Sequence, residues 1–222
     1  MENHIVKILS TENITHNVKR FRVEKPKDYK FIPGQATEVA INQEAWKKEK
    51  RPFTFTCLND KNYLEFTIKI YDDHDGVTHH LGTLKAGDSL IIHDVWGAIQ
   101  YKGAGTFIAG GAGITPFIAI LRQLNEDGKI GNNQLIFSNK TTKDIILKDE
   151  LEQILGDRFI NTLTEETTGQ YDNRKIDKAY LKEKISDFTQ NFYICGPDPM
   201  IEAIKKSLVE LGAKDTVITI EV

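Results

Sequence analysis

The run Gly110-Gly111-Ala112-Gly113-Ile114-Thr115-Pro116 combines the residue types a backbone needs to approach a phosphate. Glycine and alanine leave room beside the main chain, and a helix beginning there presents unpaired N–H groups and a positive dipole end to an anion. Pro116 suits a first helical position, where its missing N–H has no intrahelical partner to lose. The run departs from the common Gly-x-Gly-x-x-Gly fingerprint, which has glycine where Pro116 stands. A tight strand-to-helix turn without a ligand is the alternative for this segment taken alone. A second cluster, Asp72-Asp73-His74-Asp75-Gly76 with His79-His80, has the residue types of a metal site but not the spacing. Read as a calcium loop, its first and twelfth positions fall on Tyr71 and Gly82, and neither is a carboxylate. No third soft ligand completes a zinc set, so no metal is expected and the cluster reads as a solvated loop. Cys57 and Cys195 form no Cys-x-x-Cys pair, which excludes a four-cysteine iron–sulfur cluster in this chain and argues against a disulfide framework. Any redox chemistry falls to a bound organic cofactor or a lone thiol.

These residues need a scaffold. Residues 5–9, 18–23, 37–41, 53–58, 64–71 and 89–94 read as strands, separated by turn signals such as Pro33-Gly34, Asn59-Asp60 and Ala86-Gly87-Asp88. Many short strands at this spacing predict an antiparallel barrel, with one short helix over 78–84. The rhythm then changes. Strands at 106–109, 135–137, 159–163, 192–195 and 217–220 alternate with helices at 116–125, 148–155, 178–185 and 199–211. That alternation predicts an α/β domain with a doubly wound parallel sheet. Glycines concentrate over 101–105, so the chain is expected to divide into residues 1–102 and 103–222. The expected architecture has two domains, an antiparallel Greek-key β-barrel followed by the α/β sheet. Open parallel sheets bind ligands at their carboxyl edge, where Cys195 is expected to lie.

The 222 residues suffice for two separate cores. A net charge of −3 and the lack of a long basic run give no electrostatic case for nucleic acid. The weakly polar stretch 107–121 is glycine-rich and falls short of the roughly 20 apolar residues of a membrane span. Met1-Glu2-Asn3-His4 lacks the basic-then-apolar pattern of a signal peptide, so a cytoplasmic location is expected.

Four motifs, taken together and in order, resemble those of the ferredoxin–NADP reductase family. Arg51-Pro52-Phe53-Thr54 is similar to its Arg-x-Tyr-Ser/Thr signature, with Phe53 in place of tyrosine. Asp75-Gly76-Val77-Thr78 followed by Leu81 resembles its second flavin motif. The glycine turn resembles that of its nicotinamide domain, and Cys195-Gly196-Pro197-Asp198-Pro199-Met200 resembles its Cys-Gly-Pro motif. The resemblance spans essentially the whole chain. It implies an FAD-dependent NAD(P)H oxidoreductase passing electrons to a separate acceptor, flavodoxin or ferredoxin first. A reductase component serving an oxygenase, a reductase of small acceptors, and a non-catalytic flavin- or nucleotide-binding subunit are the alternatives.

The same resemblance assigns roles. Arg51 would grip a flavin phosphate through two parallel hydrogen bonds, the alternative being a surface salt bridge. Phe53, beside Pro52, would pack on the flavin ring or ribityl chain, and Thr54 would place its hydroxyl near flavin N5. Ile68, Lys69 and Ile70 would flank the ribityl chain through their backbone. Gly76, Val77 and Thr78 would meet the pyrophosphate, which implies FAD rather than FMN; a threonine at a helix start is more often a plain cap, and the two roles can coexist. Gly111, Gly113 and Thr115 would hold the dinucleotide. Cys195 and Gly196 would lie against the nicotinamide, the thiol shaping the hydride path; a small buried hydrophobe is the alternative for this cysteine. Thr54, Cys195 and Glu221 form the implied catalytic set. Several family members end in an aromatic lid, where this sequence has Val222. At the tip of the second strand of the sheet, Ser138 and Lys140, with Arg174, suit a 2′-phosphate, while Glu165 opposes one. The balance tilts to NADPH over NADH.

Overall fold

The computed structural model describes residues 3–73, 75–97 and 99–220. The chain divides into two compact units, residues 1–97 with 115–123, and residues 98–114 with 124–222.

The first unit is a six-stranded antiparallel barrel. Its strands are β1 (His4–Thr15), β2 (Val18–Glu24), β3 (Ala36–Ile41), β4 (Arg51–Thr54), β5 (Tyr63–Lys69) and β6 (Ser89–Trp96), in the sheet order β4-β3-β6-β1-β2-β5. The two ends of the sheet meet at a bridge between Phe55 and Phe66, where Thr56 N–H donates to the Glu65 carbonyl at 2.8 Å. Strands β3, β4 and β5 follow one another in space and β6 returns beside β3, which is the Greek-key order. Alternation directs Phe21, Val23, Val39, Leu64, Phe66 and Ile92 into one core, all at 0% exposure. A short helix, α1 (Val77–Thr83), inserts Val77 and Leu81 into the same core. Strand β1 runs well past residue 9, because register shifts at Ile8/Ser10 and Asn13/Thr15 break the alternation on which the sequence reading rests.

The second unit holds a parallel sheet of β7 (Gly105–Gly110), β8 (Gln134–Asn139), β9 (Phe159–Leu163), β10 (Asn191–Cys195) and β11 (Ile218–Ile220), in the order β11-β10-β7-β8-β9. Phe107, Ile108, Leu135, Ile136, Phe192, Tyr193 and Ile194 are all fully buried, the continuous apolar run expected when both faces of a sheet are covered. A 3-10 turn, Gly111–Ile114, leads from β7 into α2 (Thr115–Glu126), whose residues 115–123 belong to the first unit. The remaining helices are α3 (Lys148–Leu155), α4 (Lys178–Lys184) and α5 (Asp198–Glu210). Asp177 caps α4 by accepting from Tyr180 N–H at 2.8 Å, and Ile201, Ile204 and Leu208 form the buried stripe of α5. The segment before β7 is pinned by Tyr193, whose hydroxyl donates to the Gly103 carbonyl and accepts from Lys102 N–H, both at 2.8 Å.

Candidate functional site

The barrel wall is open along one seam. Strand β4 ladders to β3 through Arg51–Thr54, and β5 ladders to β2 as far as Lys69. Between β4 and β5, among the described residues, the named pairing is confined to the Phe55–Phe66 bridge and the adjoining Thr56–Glu65 bond. Two strand edges therefore run on from the bridge, one carrying residues 51–54 and the other 67–69, with backbone polar groups turned to the opening. Pro52, which has no N–H to give, is tolerated on such an edge. Thr54 is buried at 8% exposure, and Phe53 is half-buried against the barrel core. Arg51 is exposed. Its Nη1 donates to the Lys50 carbonyl at 2.7 Å and lies 3.9 Å from Glu49. An exposed ion pair of that length contributes at most about 1 kcal/mol, so little holds this guanidinium back from a stronger anion.

The second flavin-type motif is seated beside the other edge. Ile68 is buried, while Lys69 and Ile70 are half-buried. A Cβ at Gly82 would stand 2.9 Å from Ile70 Cγ2, so glycine there lets α1 pack down on the end of β5. Gly76 is the extended N-cap of α1, with Val77 and Thr78 opening the helix. Around it, His80 Nε2 lies 2.5 Å from Asp75 Oδ1 and His79 Nδ1 lies 3.2 Å from Asp72 Oδ1. Trp46 packs on the His80 ring at a centroid distance of 4.0 Å. No group of three or more metal-ligating side chains occurs among the described residues.

In the second unit the strand order reverses at β7, with β8 and β9 to one side and β10 and β11 to the other. Such a switch point opens a crevice at the carboxyl edge of the sheet. Cys195 pairs with Ala109 and Gly110 pairs with Ser138, which sets Cys195, Gly110 and Ser138 side by side at that edge. The glycine turn is built against the Cys-Gly-Pro loop: a Cβ at Gly113 would lie 2.4 Å from the Cys195 carbonyl oxygen and 2.6 Å from Gly196 N. Gly111 has φ +52° and open space around it, so its requirement is backbone conformation. Cys195, Gly196 and Thr115 are all half-buried, and neither cysteine is in a disulfide. Glu221 lies outside the described residues.

The tip of β8 carries an informative residue that motif reading passes over. Asn139, between Ser138 and Lys140, is 5% exposed, and both its Nδ2 and Oδ1 lack a hydrogen-bond partner. A buried amide left unpaired costs about 1–3 kcal/mol. A ligand bringing both an acceptor and a donor, such as a ribose diol, would complement that amide. Lys140 is exposed and held by Glu165 at 3.0 Å, a hydrogen bond that raises the lysine pKa. The neighbouring Glu166 accepts from Thr142 N–H at 2.5 Å. Arg174 is committed elsewhere, 2.5 Å from Glu183 and with its guanidinium 4.6 Å from the Tyr180 ring centroid.

Comparison with known proteins matches both halves. Residues 5–101 match the oxidoreductase FAD-binding domain model, and residues 107–206 match the oxidoreductase NAD-binding domain model. NADH-cytochrome b5 reductase 1 of Aspergillus oryzae is 34% identical over 231 residues, covering 92% of this chain and 78% of the relative. The Emericella nidulans protein of the same name is 33% identical, covering 95% and 74%. Among solved structures, the FAD/NAD-binding domain of Vibrio cholerae nitric oxide dioxygenase superposes with a TM-score of 0.87 at 20% identity, covering 100% of this chain and 99% of the other. A Neisseria gonorrhoeae ferredoxin NADP+ reductase with bound FAD and NADP gives 0.86 at 19%, covering 100% and 98%. At these identities the structures establish a common fold.

Proposed function

Because the chain belongs to the ferredoxin–NADP reductase-like family of flavoproteins, as an FAD-dependent NAD(P)H oxidoreductase, we propose that it draws electrons from NADH and delivers them to a haem protein of the cytochrome b5 class. The observation that carries the electron-input half is the switch-point geometry. The glycine turn follows β7 and Cys195 ends β10, adjacent strands at the reversal of the sheet. Bound FAD supplies the conversion of a two-electron donor into single electrons. The protein contributes position and exclusion of water.

In this reading Arg51 binds the flavin phosphates, joined by the opening N–H groups of α1 at Gly76, Val77 and Thr78. The edges 51–54 and 68–70 hold the ribityl and ring portions, with Thr54 placing its hydroxyl at the ring and Phe53 covering it. Gly111 and Gly113 bring backbone to the dinucleotide phosphates. Cys195 lines the nicotinamide pocket.

Two observations favour NADH over the NADPH tilt of the sequence. Lys140 is paired with Glu165, with Glu166 the next residue, so a 2′-phosphate would meet carboxylates. The unpaired donor and acceptor of Asn139 suit an unphosphorylated diol. The choice of a haem acceptor, in place of flavodoxin or ferredoxin, is supported by the near full-length similarity to NADH-cytochrome b5 reductases. The test is steady-state turnover of the FAD-loaded protein with each dinucleotide and with purified cytochrome b5, flavodoxin or ferredoxin. NADH-driven reduction of cytochrome b5 should be fastest. Faster NADPH-driven reduction of ferredoxin would contradict the reading.

A further inference from the structure

Arg51 is weakly held by its own neighbours, but the loop that leads into it is fastened by a ring. Residues 42–50 connect β3 to β4 and fold into a compact turn around Trp46. Trp46 N–H donates to the Gln43 carbonyl at 2.9 Å, and Lys47 N–H donates to the same carbonyl at 2.8 Å. Glu49 N–H donates to the Trp46 carbonyl at 3.0 Å. Asn42 N–H, donating to the Ser89 carbonyl at 3.1 Å, pins the entrance of the loop to β6. The Trp46 side chain is half-buried and packs against the barrel core. It also meets the His80 ring, at a centroid distance of 4.0 Å and an interplanar angle of 37°.

His80 belongs to α1. Its N–H donates to the Gly76 carbonyl at 3.1 Å, so it stands one helical turn beyond the residues that open the helix. Its Nε2 lies 2.5 Å from Asp75 Oδ1, which ties the ring back to the residue before Gly76. The next residue, Leu81, is fully buried in the barrel core and fixes the helix beneath it. Trp46 is five residues ahead of Arg51, and His80 is four residues beyond Gly76. The stack therefore joins the two segments to which the flavin phosphates are assigned, and all of these residues lie in one compact unit.

Two grips on one ligand reinforce each other only while their spacing suits it. A loop already fastened in place avoids the cost of being ordered on binding. An aromatic pair is worth up to about tenfold in an equilibrium constant beyond the burial of its rings. We propose that Trp46 and His80 are positioning residues for FAD: their stack fastens the Arg51 loop to α1 and sets the spacing of the two phosphate grips. Neither residue touches the reacting atoms. The proposal rests on the function given above and adds a selectivity to it. The two phosphates of FAD engage both grips at once, whereas the single phosphate of FMN needs only one.

The test titrates the full chain, freed of flavin, with FAD and separately with FMN, following flavin fluorescence. Wild type is compared with Trp46→Leu, His80→Leu, the double variant Trp46→Leu/His80→Leu, and Trp46→Phe. Each leucine variant should weaken FAD by about tenfold and FMN by less than about twofold. The double variant should bind FAD no more weakly than either single one, because all three remove the same interaction. Trp46→Phe, which keeps a ring, should recover most of the affinity. FAD and FMN weakened equally would overturn the proposal, since a general structural role moves both. Unchanged FAD binding would overturn it too, and so would losses that simply add in the double variant. If Trp46→Leu does not fold, His80→Leu decides by the same comparison of FAD with FMN. A wild-type chain that binds neither flavin is a different outcome, because it removes the function itself and the role of the pair with it. Wild type that binds FAD, with variants that match it, removes the proposal alone.

Discussion

A methyl group on Gly113 would come within 2.4 Å of the Cys195 carbonyl oxygen, so the glycine turn and the Cys-Gly-Pro loop are shaped to one another. The obstacle is backbone and has no rotamer to turn away. Gly113→Ala should destabilise by about 1–3 kcal/mol, as overpacking does, and abolish reduction by NADH while leaving flavin content intact. Gly111→Ala meets no neighbour within 4 Å and should cost about 1–2 kcal/mol for its φ of +52° alone. Denaturant unfolding and flavin bleaching of both variants check this. Equal NADH reduction in the two would contradict it.

The two cysteines should differ sharply towards a thiol reagent. Cys57 is 3% exposed, and burial pushes its thiol pKa up to about 11. Its sulfur accepts from Glu65 N–H at 3.2 Å. Cys195 is half-buried at the mouth of the crevice. One thiol should react quickly in native protein at neutral pH, more slowly with NAD+ present, and the second only after unfolding. Two fast thiols, or no protection by NAD+, would count against the assignment.

Asn139 is predicted to trade stability for binding. Asn139→Leu removes two unpaired buried atoms and should stabilise the dinucleotide-free protein by about 1–3 kcal/mol. The same change should raise the KM for NADH with little change in kcat, the mark of an interaction made equally before and during reaction. Glu165→Gln frees Lys140 and should raise the NADPH-to-NADH ratio of kcat/KM by about tenfold, or ~1.4 kcal/mol. An unchanged ratio would remove Glu165 from the specificity site.

The barrel should weaken in acid through Glu65. Burial alone would raise its folded pKa, but Arg122, then Arg22 and Arg20, outweigh it. Arg122 Nη1 donates to Glu65 Oε1 at 2.7 Å and to the Thr56 carbonyl at 2.6 Å. The folded pKa is depressed, so the contribution of Glu65 is fully present above the unfolded value of about 4.3 and is lost as pH falls through the lower folded value. Thermal midpoints should therefore fall below about pH 4.5 in wild type, and less steeply in Glu65→Met/Arg122→Met. Parallel curves would show that other carboxylates set the acid limit.

How far the sequence could be read follows from what each residue must do. Period-two alternation and the later strand–helix rhythm revealed both architectures, because Phe21, Val39 and Ile92 on one side and Ile201, Ile204 and Leu208 on the other follow the geometry of their elements. The true extent of β1 was hidden by its register shifts, and β4 was read two residues late because Pro52 looks like a break when it is an edge residue. Glycine, cysteine and arginine advertise their chemistry by type, so the turn, Cys195 and Arg51 stood out. Asn139 and Glu65 did not. An asparagine at a strand end and a glutamate on an outward position are ordinary in sequence, and only burial gives them meaning. Arg122 reads as a helix-surface residue until its two acceptors are seen.

The central claim is electron entry from nicotinamide to a flavin bound by this chain, and anaerobic titration of the yellow, FAD-loaded protein with NADH tests it most directly. The visible flavin band should bleach stoichiometrically and return on adding oxidised cytochrome b5. A band that persists through an excess of both NADH and NADPH would contradict the account.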